Sequence, residues 1–294
     1  MKGGRGEDRM RLFEQEPTPP KGTVTGIRPV LAKRAGVEPE RTAIKWPEVL
    51  DGVASVVCEL SPERRLISDD SDLGIAMESF RLLGHRLRRA RDRQAFNRLL
   101  VTSSVPREGK TVVAVNLAIL LARTSPRVLL IDADMRKPGG DNALGLPFLP
   151  GLADCLEGRR ELDEVLRRVE NFGLWYISAG RALDNPGALV QGHAIRDVLK
   201  GAGQRFDWVI VDSPPLNPFA DAHYLATCTD RALMVLHAGT TPRELFDAAL
   251  KSFRGVRIAG VVLNGHAEPN RQSYYSRYAA RGEQPATEAD EATS

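Results

Sequence analysis

The chain has 294 residues, of which 42% are apolar and 27% are charged, so it is long enough and apolar enough for one large α/β domain with tails. Its formal net charge of +3 is small for this length and indicates no particular class of partner. The three cysteines, Cys58, Cys155 and Cys228, are far apart and form no CxxC or Cys/His spacing, which argues against a disulfide framework or a zinc site and favours reduced thiols in the cytoplasm.

The sequence contains no predicted membrane segment. The first residues, MKGGRGEDRMRLFEQ, lack the apolar stretch of a signal peptide. The longest apolar run, Val112 to Ala122, is interrupted by Asn116 and is about half of the roughly 20 residues that a membrane span needs. We therefore expect a soluble, cytoplasmic protein whose membrane role, if it has one, depends on a partner.

The N-terminal part differs in composition from the rest. Residues 1–70 are rich in Pro, Gly, Arg and Glu, and we predict a flexible extension with at most one short helix, at Val49 to Leu60. Asp72 to Arg93 follows with apolar residues at steps of three and four, which predicts an amphipathic helix with an arginine-rich outer face.

Apolar strands and helices then alternate through residues 71–265. The predicted strands are Leu99 to Val101, Arg127 to Asp132, Leu174 to Ser178, Trp208 to Val211, Ala232 to Leu236 and Ile258 to Leu263. The predicted helices are Lys110 to Arg123, Leu152 to Glu157, Leu162 to Val169, Ile195 to Ala202 and Arg243 to Phe253. Strands without polar alternation are typical of a sheet that is covered on both faces, so we predict a doubly wound, mostly parallel α/β sheet with helices on both sides. Residues 266–294 are polar, and we predict a mobile tail.

The strongest motif is the segment Ser103-Ser-Val-Pro-Arg-Glu-Gly-Lys-Thr111, which lies between a predicted strand and a predicted helix. It matches the phosphate-loop (Walker A) pattern GxxxxGK[ST], except that Ser104 replaces the first glycine. Such a loop wraps backbone amides around phosphate oxygens at the positive end of a helix. The predicted nucleotide-binding residues are Ser104, Val105, Pro106, Arg107, Glu108, Gly109, Lys110, Thr111 and Val112. The alternative is an ordinary strand–turn–helix with a capping serine.

Carboxylates follow two other predicted strands. Asp132 and Asp134 end the strand VLLID, and Asp212 ends the strand WVIVD before Ser-Pro-Pro. Beside a phosphate loop, such carboxylates hold Mg²⁺ and its waters or orient an attacking hydroxyl. The alternative is that they simply end buried strands at solvent. Asn264 ends the last strand, where it is a candidate to contact the adenine edge or, nearly as well, to begin an Asn-Gly turn.

Together, the SSVPREGKT, DADMRKP and DSPP motifs resemble those of the bacterial tyrosine kinases (BY-kinases). These are the capsular and exopolysaccharide autokinases within the MinD/ParA-like group of P-loop ATPases. The resemblance covers about Asp72 to Gly265. Further matches are Gly145-Leu146-Pro147, Gly151-Leu152 and Asn185-Pro186. The second lysine of MinD-type loops, expected near Val105 or Pro106, is absent.

The resemblance implies transfer of the γ-phosphoryl group of ATP to tyrosines in the enzyme's own C-terminal tail, in trans, within a ring of subunits. It assigns Lys110, Asp132 and Asp134 to catalysis, with Asp132 as the base, and Thr111, Asp132, Asp134 and Asp212 to Mg²⁺. It also implies a membrane polysaccharide chain-length (co-polymerase) activator that recruits the protein to the inner face of the plasma membrane, and an opposing tyrosine-protein phosphatase. We expect no nucleic-acid partner.

The tail and the first long helix bear on this resemblance. Tyr274, Tyr275 and Tyr278 are the predicted phosphoacceptors, with an aromatic docking segment as the alternative. Glu78 and Arg81 match a subunit-contact motif, Glu-x-x-Arg-x-x-Arg, but its last position is Gly84, with Arg86 or Arg88 as candidate substitutes. The alternative for the arginine-rich face of this helix is an ordinary solvated surface.

Two other functions stay open from the sequence alone. One is a MinD/ParA-type ATPase that switches partners without modifying them. The other is a nucleotide-binding scaffold without kinase activity.

Overall fold

The computed structural model describes residues 44–48, 50, 52–59, 61, 64, 66–67, 74–253 and 255–266. These residues fall within one compact unit. In the described part of the chain, no helix is long and apolar enough to cross a membrane.

The strands that the structure describes form one sheet with the order β1-β4-β5-β3-β6-β2-β7-β8. Their bounds are β1 Ser55–Val56, β2 Arg98–Ser103, β3 Val128–Asp132, β4 Leu166–Val169, β5 Leu174–Ile177, β6 Trp208–Asp212, β7 Arg231–His237 and β8 Ile258–Asn264. Every neighbouring pair is parallel except β4 and β5. The predicted doubly wound, mostly parallel sheet is therefore confirmed.

Helices cover both faces of this sheet. They are α1 Gly74–Arg93, α2 Lys110–Ala122, α3 Gly140–Leu144, α4 Leu152–Leu156, α5 Leu162–Val165, α6 Gly187–Gln191, α7 His193–Arg205, α8 Asp221–Thr227 and α9 Arg243–Ser252. Alternate side chains of the central strands enter two separate apolar clusters, one on each face. This explains why β3 and β6 are buried at every position and show no polar alternation.

Two predicted elements were wrong. The helix predicted at Leu162 to Val169 ends at Val165, and Leu166–Val169 is a strand that pairs antiparallel with β5. The short helix predicted at Val49 to Leu60 is not formed by its described residues, of which Ser55 and Val56 make strand β1 beside β4. Both errors have one cause. The local sequence pattern fits a helix, but pairing with strands that are distant in sequence gives these residues a strand conformation.

Part of the predicted N-terminal extension packs on the domain. The Trp46 ring is buried against Phe206, and its indole N–H donates to the Val198 carbonyl at 3.2 Å. The Ile67 amide donates to the Asn116 side chain at 2.8 Å. These contacts fix Trp46 and Ile67 on the domain, within a segment that the sequence predicts to be flexible.

Candidate nucleotide and metal site

The predicted phosphate loop lies between β2 and α2, at the carboxyl edge of the sheet. Helix α2 begins at Lys110, so its first amides face the loop. Gly109 has φ 87°, and Arg107 has φ 70°, a left-handed conformation that glycine adopts more readily than arginine. The loop therefore takes a tight path that the glycine of the GKT sequence permits.

Lys110 lies among the predicted carboxylates. Its Nζ is 2.8 Å from Asp134 Oδ2 and 3.8 Å from Asp212 Oδ1. Burial disfavours the ammonium, but the negative charges of Asp212 and Asp134 outweigh burial and raise the pKa of Lys110 above its ordinary value. The lysine is therefore a fixed cation at the mouth of the loop.

Asp212 is the last residue of β6, and its surroundings neutralise the negative charge of its buried carboxylate only in part. Neither oxygen accepts a hydrogen bond of ordinary length from a described residue. Burial raises the pKa of Asp212, while the Lys110 charge and the nearby Thr111 hydroxyl act in the opposite direction. A buried carboxylate beside a threonine hydroxyl is a donor set that suits Mg²⁺.

The described residues do not form a closed metal cage. No group of three or more His, Cys, Asp or Glu side chains among them is arranged to hold a metal ion by itself. Mg²⁺ usually takes one or two protein carboxylates and completes its shell with waters and phosphate oxygens, so an open donor set is what a nucleotide-linked Mg²⁺ requires.

Asp132 is held differently from Asp212. Its Oδ1 accepts the Asp134 amide at 3.0 Å, and its Oδ2 accepts the amides of Gly139 and Gly140 at 3.0 and 2.8 Å. Burial and the Asp212 charge raise the pKa of Asp132 to about 7, although the amides stabilise its anion. The carboxyl group is thus fixed in orientation and poised to change charge near neutral pH.

Our sequence reasoning missed the glycine pair that holds Asp132. A Cβ at Gly140 would lie 2.4 Å from the Tyr176 hydroxyl and 3.0 Å from Asp132 Oδ2, so the position requires glycine. The signal was present in the sequence as two glycines directly after the DADMRKP motif.

A second layer fixes the turn that carries these glycines. Buried Tyr176 donates its hydroxyl to Asp141 Oδ1 at 2.8 Å, and Ser178 donates to Asp141 Oδ2 at 2.9 Å. Asp141 belongs to α3, whose first residue is Gly140. The end of β5 therefore supports the amides that bind Asp132.

Glu108 and Asn264 tie the loop to the β7–β8 side of the sheet. Glu108 is buried; its Oε2 accepts the Val105 amide at 2.8 Å, and its Oε1 accepts the Thr241 hydroxyl. Asn264 donates its side-chain amide to the Glu108 carbonyl at 3.0 Å. The structure thus gives Asn264 a role in holding the loop, and its predicted contact with adenine stays a prediction.

Arg136 of the DADMRKP motif joins three loops at this edge. It donates from Nε to Asp221 Oδ2 at 2.5 Å, from a second nitrogen to Asp221 Oδ1 at 3.3 Å, and to the Asp184 carbonyl at 3.1 Å. Asp221 is buried at the start of α8. The motif therefore stabilises the loops after β5 and β6 as well as the metal-facing residues.

The structure thus brings together Lys110, Thr111, Asp134 and Asp212, places Asp132 beside them, and puts Asn264 against the loop. Other predicted site residues lie apart. Glu78 and Arg81 are half-exposed on α1 and form an ion pair of 3.5 Å with each other. The predicted phosphoacceptors, Tyr274, Tyr275 and Tyr278, lie outside the described residues.

Comparison with known proteins identifies the relatives of this arrangement. A family model described as the CobQ/CobB/MinD/ParA nucleotide binding domain matches residues 101–287. The tyrosine-protein kinase Ptk of Acinetobacter johnsonii is 32% identical over 199 residues, which are 67% of this chain and 27% of that protein. The tyrosine-protein kinase Etk of Escherichia coli K12 is 31% identical over 198 residues, again 67% of this chain and 27% of the relative. The chain thus spans less than a third of the length of these relatives.

Solved structures agree with these matches. The kinase domain of the Escherichia coli tyrosine kinase ETK superposes with a TM-score of 0.64 at 27% identity, over 74% of this chain and 92% of that one. The BceF tyrosine kinase domain superposes with a TM-score of 0.59 at 33% identity, over 64% of this chain and 77% of that one. A Klebsiella pneumoniae relative, 32% identical over 71% of this chain and 29% of its own length, carries a name that places it in the cps region.

Proposed function

Because the chain belongs to the CobQ/CobB/MinD/ParA nucleotide-binding family, we propose that it is an ATP-dependent protein-tyrosine autokinase. It transfers the γ-phosphoryl group of ATP to tyrosines of its own C-terminal segment, in trans, within a ring of subunits. The similarity to solved tyrosine kinase domains supports this choice of activity within a family of diverse ATPases.

The site supports the proposal through one observation in particular. A partly buried lysine at the start of α2 lies 2.8 Å from Asp134, beside the buried Asp212 that has no hydrogen-bond partner of ordinary length among the described residues. Phosphoryl transfer depends on positioning and on neutralising the charge of the phosphates. A fixed cation and an open anionic ligand position are what this chemistry requires from the protein.

Each residue then has a distinct task. Lys110 binds phosphate oxygens, while Asp134 keeps its ammonium directed toward the loop. Thr111 and Asp212 hold Mg²⁺, which neutralises phosphate charge when bound. Asp132 accepts a hydrogen bond from the acceptor tyrosine; because an ordinary tyrosine has a pKa near 10, the carboxylate orients the hydroxyl more than it ionises it beforehand.

The acceptors and partners belong to the same proposal. Tyr274, Tyr275 and Tyr278 receive the phosphoryl group, and Glu78 and Arg81 contact the neighbouring subunit. A membrane chain-length protein of exopolysaccharide or capsule assembly activates the kinase and recruits it to the inner face of the plasma membrane, and a tyrosine-protein phosphatase reverses its action.

Transfer of label from γ-labelled ATP to the purified chain tests the activity. With Mg²⁺ and the cytoplasmic tail of the candidate activator present, we expect phosphotyrosine in the wild-type chain and none in Lys110→Met, which lacks the cation at the loop. Lys251→Met, at an exposed position of α9, is the matched control and should be labelled like the wild type.

The same assay separates a kinase from an ATPase switch. ATP hydrolysis that requires Lys110 but leaves no phosphotyrosine would reject the kinase in favour of a MinD/ParA-type switch. Binding of ATP with neither hydrolysis nor transfer would identify a scaffold.

A further inference from the structure

One face of α1 carries three arginine side chains that form no hydrogen bond or ion pair with the residues that the structure describes. Arg86, Arg89 and Arg93 are exposed and follow one another at steps of three and four, so they lie on one side of the helix over about 10 Å. We call these three residues the arginine row. None of them forms a hydrogen bond or an ion pair with a residue that the structure describes.

The other arginines of α1 with described contacts face the domain or a neighbour on the helix. Arg88 bonds to Thr124, Arg91 stacks over Trp208 at 4.4 Å and donates to the Asp207 carbonyl at 3.2 Å, and Arg81 pairs with Glu78. The arginine row is therefore a distinct set, not the general pattern of the helix. Asp92, also exposed, is the acid that lies between Arg89 and Arg93 and reduces its charge only in part.

A suitable acidic segment lies in the same chain. Residues 282–294 contain Glu283, Glu288, Asp290 and Glu291 and no Lys or Arg. The N-terminal residues 1–43 are the other long stretch outside the described residues, but their nine basic and six acidic side chains give a net charge of +3. Charge complementarity therefore favours the C-terminal segment over the N-terminal one.

The position of α1 makes this contact reachable. Leu83 and Leu87 of α1 belong to the same apolar cluster as Ala259 and Val262 of β8, so the helix covers the sheet face where β8 lies. The chain leaves β8 at Asn264, and the connection from there to Glu283 can extend to about 60 Å, far more than the length of the helix. A tether of this length gives a millimolar effective concentration, so weak charge contacts suffice for docking.

We propose that the acidic segment around Glu288, Asp290 and Glu291 docks on the arginine row of the same chain. Exposed ion pairs are individually weak and are screened by salt, so the docked state forms at low ionic strength and opens at high ionic strength. Docking closes the segment that carries Tyr274 to Tyr278 into a loop anchored at both ends, which restricts where those side chains can move. This inference does not depend on kinase activity.

A spin label at position 293 of the full chain tests the proposal. The three native cysteines are buried, and burial raises the pKa of Cys58 to about 11 and of Cys155 to about 12, so an introduced Thr293→Cys is the reactive thiol for a nitroxide reagent. We expect a slow nitroxide component at about 0.01 M salt, where charges act over about 30 Å, and its loss at about 1 M salt, where they act over about 3 Å.

Variants then identify the contact. Arg86→Gln with Arg89→Gln and Arg93→Gln should remove the slow component at low salt, and so should Glu288→Gln with Asp290→Asn and Glu291→Gln. The matched control removes three exposed cations elsewhere, by Arg196→Gln, Lys200→Gln and Arg257→Gln, and should keep the slow component. Reversing the charges on both sides together should restore it.

Four results would overturn the proposal. A label whose mobility does not change with salt, or a slow component that survives loss of the arginine row, would exclude the contact. A slow component that disappears when labelled protein is diluted would assign the row to a second copy. A mobile tail combined with row-dependent binding to vesicles of anionic lipid would assign the row to a membrane surface.

Discussion

Asp212 carries the least compensated charge at the site. Its carboxylate is 1% exposed, accepts no hydrogen bond of ordinary length from a described residue, and lies 3.8 Å from the ammonium of Lys110. A buried anion in this state destabilises the folded protein until a cation or a donor reaches it. Asp212 thus lowers the stability of the free protein and raises the affinity of the site for a metal–nucleotide complex.

Asp212→Asn should separate these two effects. We expect the free energy of unfolding without nucleotide to rise by about 1–2 kcal/mol, because a buried charge is removed. The increase in melting temperature that Mg²⁺ and ATP give the wild type should disappear. Asp197→Asn, at an exposed position of α7, should change neither quantity. An unchanged nucleotide-dependent shift in Asp212→Asn would contradict the role that we assign to Asp212.

Asp132 makes stability depend on pH in a defined direction. Its pKa is about 7 in the folded protein against 3.8 for an ordinary carboxyl. Between these values the folded state holds a proton that the unfolded state has lost. The stability that this carboxyl group contributes is therefore complete below about pH 4 and decreases as the pH rises toward 7. Asp212 shares this titration because the two carboxylates repel each other.

Asp132→Asn removes one of these titrating groups. The difference in unfolding free energy, variant minus wild type, should therefore increase with pH between about 4 and 7, at no more than about 1.4 kcal/mol per pH unit. Urea titrations without nucleotide at several pH values measure this slope. A difference that stays constant over this range would show that Asp132 is ionised throughout.

Arg107 occupies a backbone conformation that suits glycine. Its φ of 70° is left-handed, and its side chain is exposed. Such a conformation costs a residue with a Cβ about 1 kcal/mol or more relative to glycine. We expect Arg107→Gly to be more stable than Arg107→Ala by about 1 kcal/mol in chemical denaturation, because both remove the guanidinium and only glycine relieves the strain. Equal stabilities would show that the loop relaxes around either residue.

At the scale of elements, the contact between α1 and α2 explains Gly84. A Cβ there would lie 2.9 Å from Leu120 Cδ2, so the two helices approach closely at this position. Gly84 is buried, whereas Glu78 and Arg81 are exposed on the same helix. An arginine at position 84 would first have to move the Leu120 side chain of α2, so the missing arginine of the Glu-x-x-Arg-x-x-Arg motif agrees with the packing of the two helices.

Helix α7 holds the residues before β1 through a similar close approach. A Cβ at Gly201 would lie 2.2 Å from the Trp46 ring, which is rigid and buried. Gly201→Ala should displace Trp46 and destabilise the protein by about 2–4 kcal/mol, despite the better helix propensity of alanine. Gly203→Ala, two residues along the same helix, meets only the flexible Arg98 side chain at 3.1 Å and should be close to neutral.

Tryptophan fluorescence and urea unfolding together measure this displacement. If Gly201→Ala kept both the wild-type emission and the wild-type stability, the residues around Trp46 would not be docked on α7 in solution.

For the whole molecule, the sequence predicted the central sheet and the loop but not the edge of the fold. Strands such as β3 and β6 are apolar at every position, and their neighbours along the chain are helices, so local pattern was sufficient to predict them. Strand β4 was mistaken for helix because Leu162, Val165, Leu166 and Val169 also fit a helical spacing. Its strand conformation depends on pairing with β5 and β1, which are distant in sequence.

The site divides in the same way. Lys110, Asp132, Asp134 and Asp212 were predictable because each follows a recognisable strand or loop. Gly139 and Gly140, which bind Asp132, left a signal as two glycines directly after the DADMRKP motif. Tyr176 and Thr241 left none, because they reach Asp141 and Glu108 from distant parts of the chain that only the folded sheet brings together. Motifs therefore predicted the chemical groups, and the fold supplied the contacts that orient them.

The central claim is that this site transfers phosphate to tyrosines of the chain's own tail. Mass spectrometry of the full chain, incubated with Mg²⁺, ATP and the activator tail, measures this most directly. We predict phosphate on Tyr274, Tyr275 or Tyr278, its absence in Lys110→Met, and loss of the modification from this segment when all three tyrosines are changed to Phe. Unmodified tyrosines in a wild-type chain that hydrolyses ATP through Lys110 would contradict the claim.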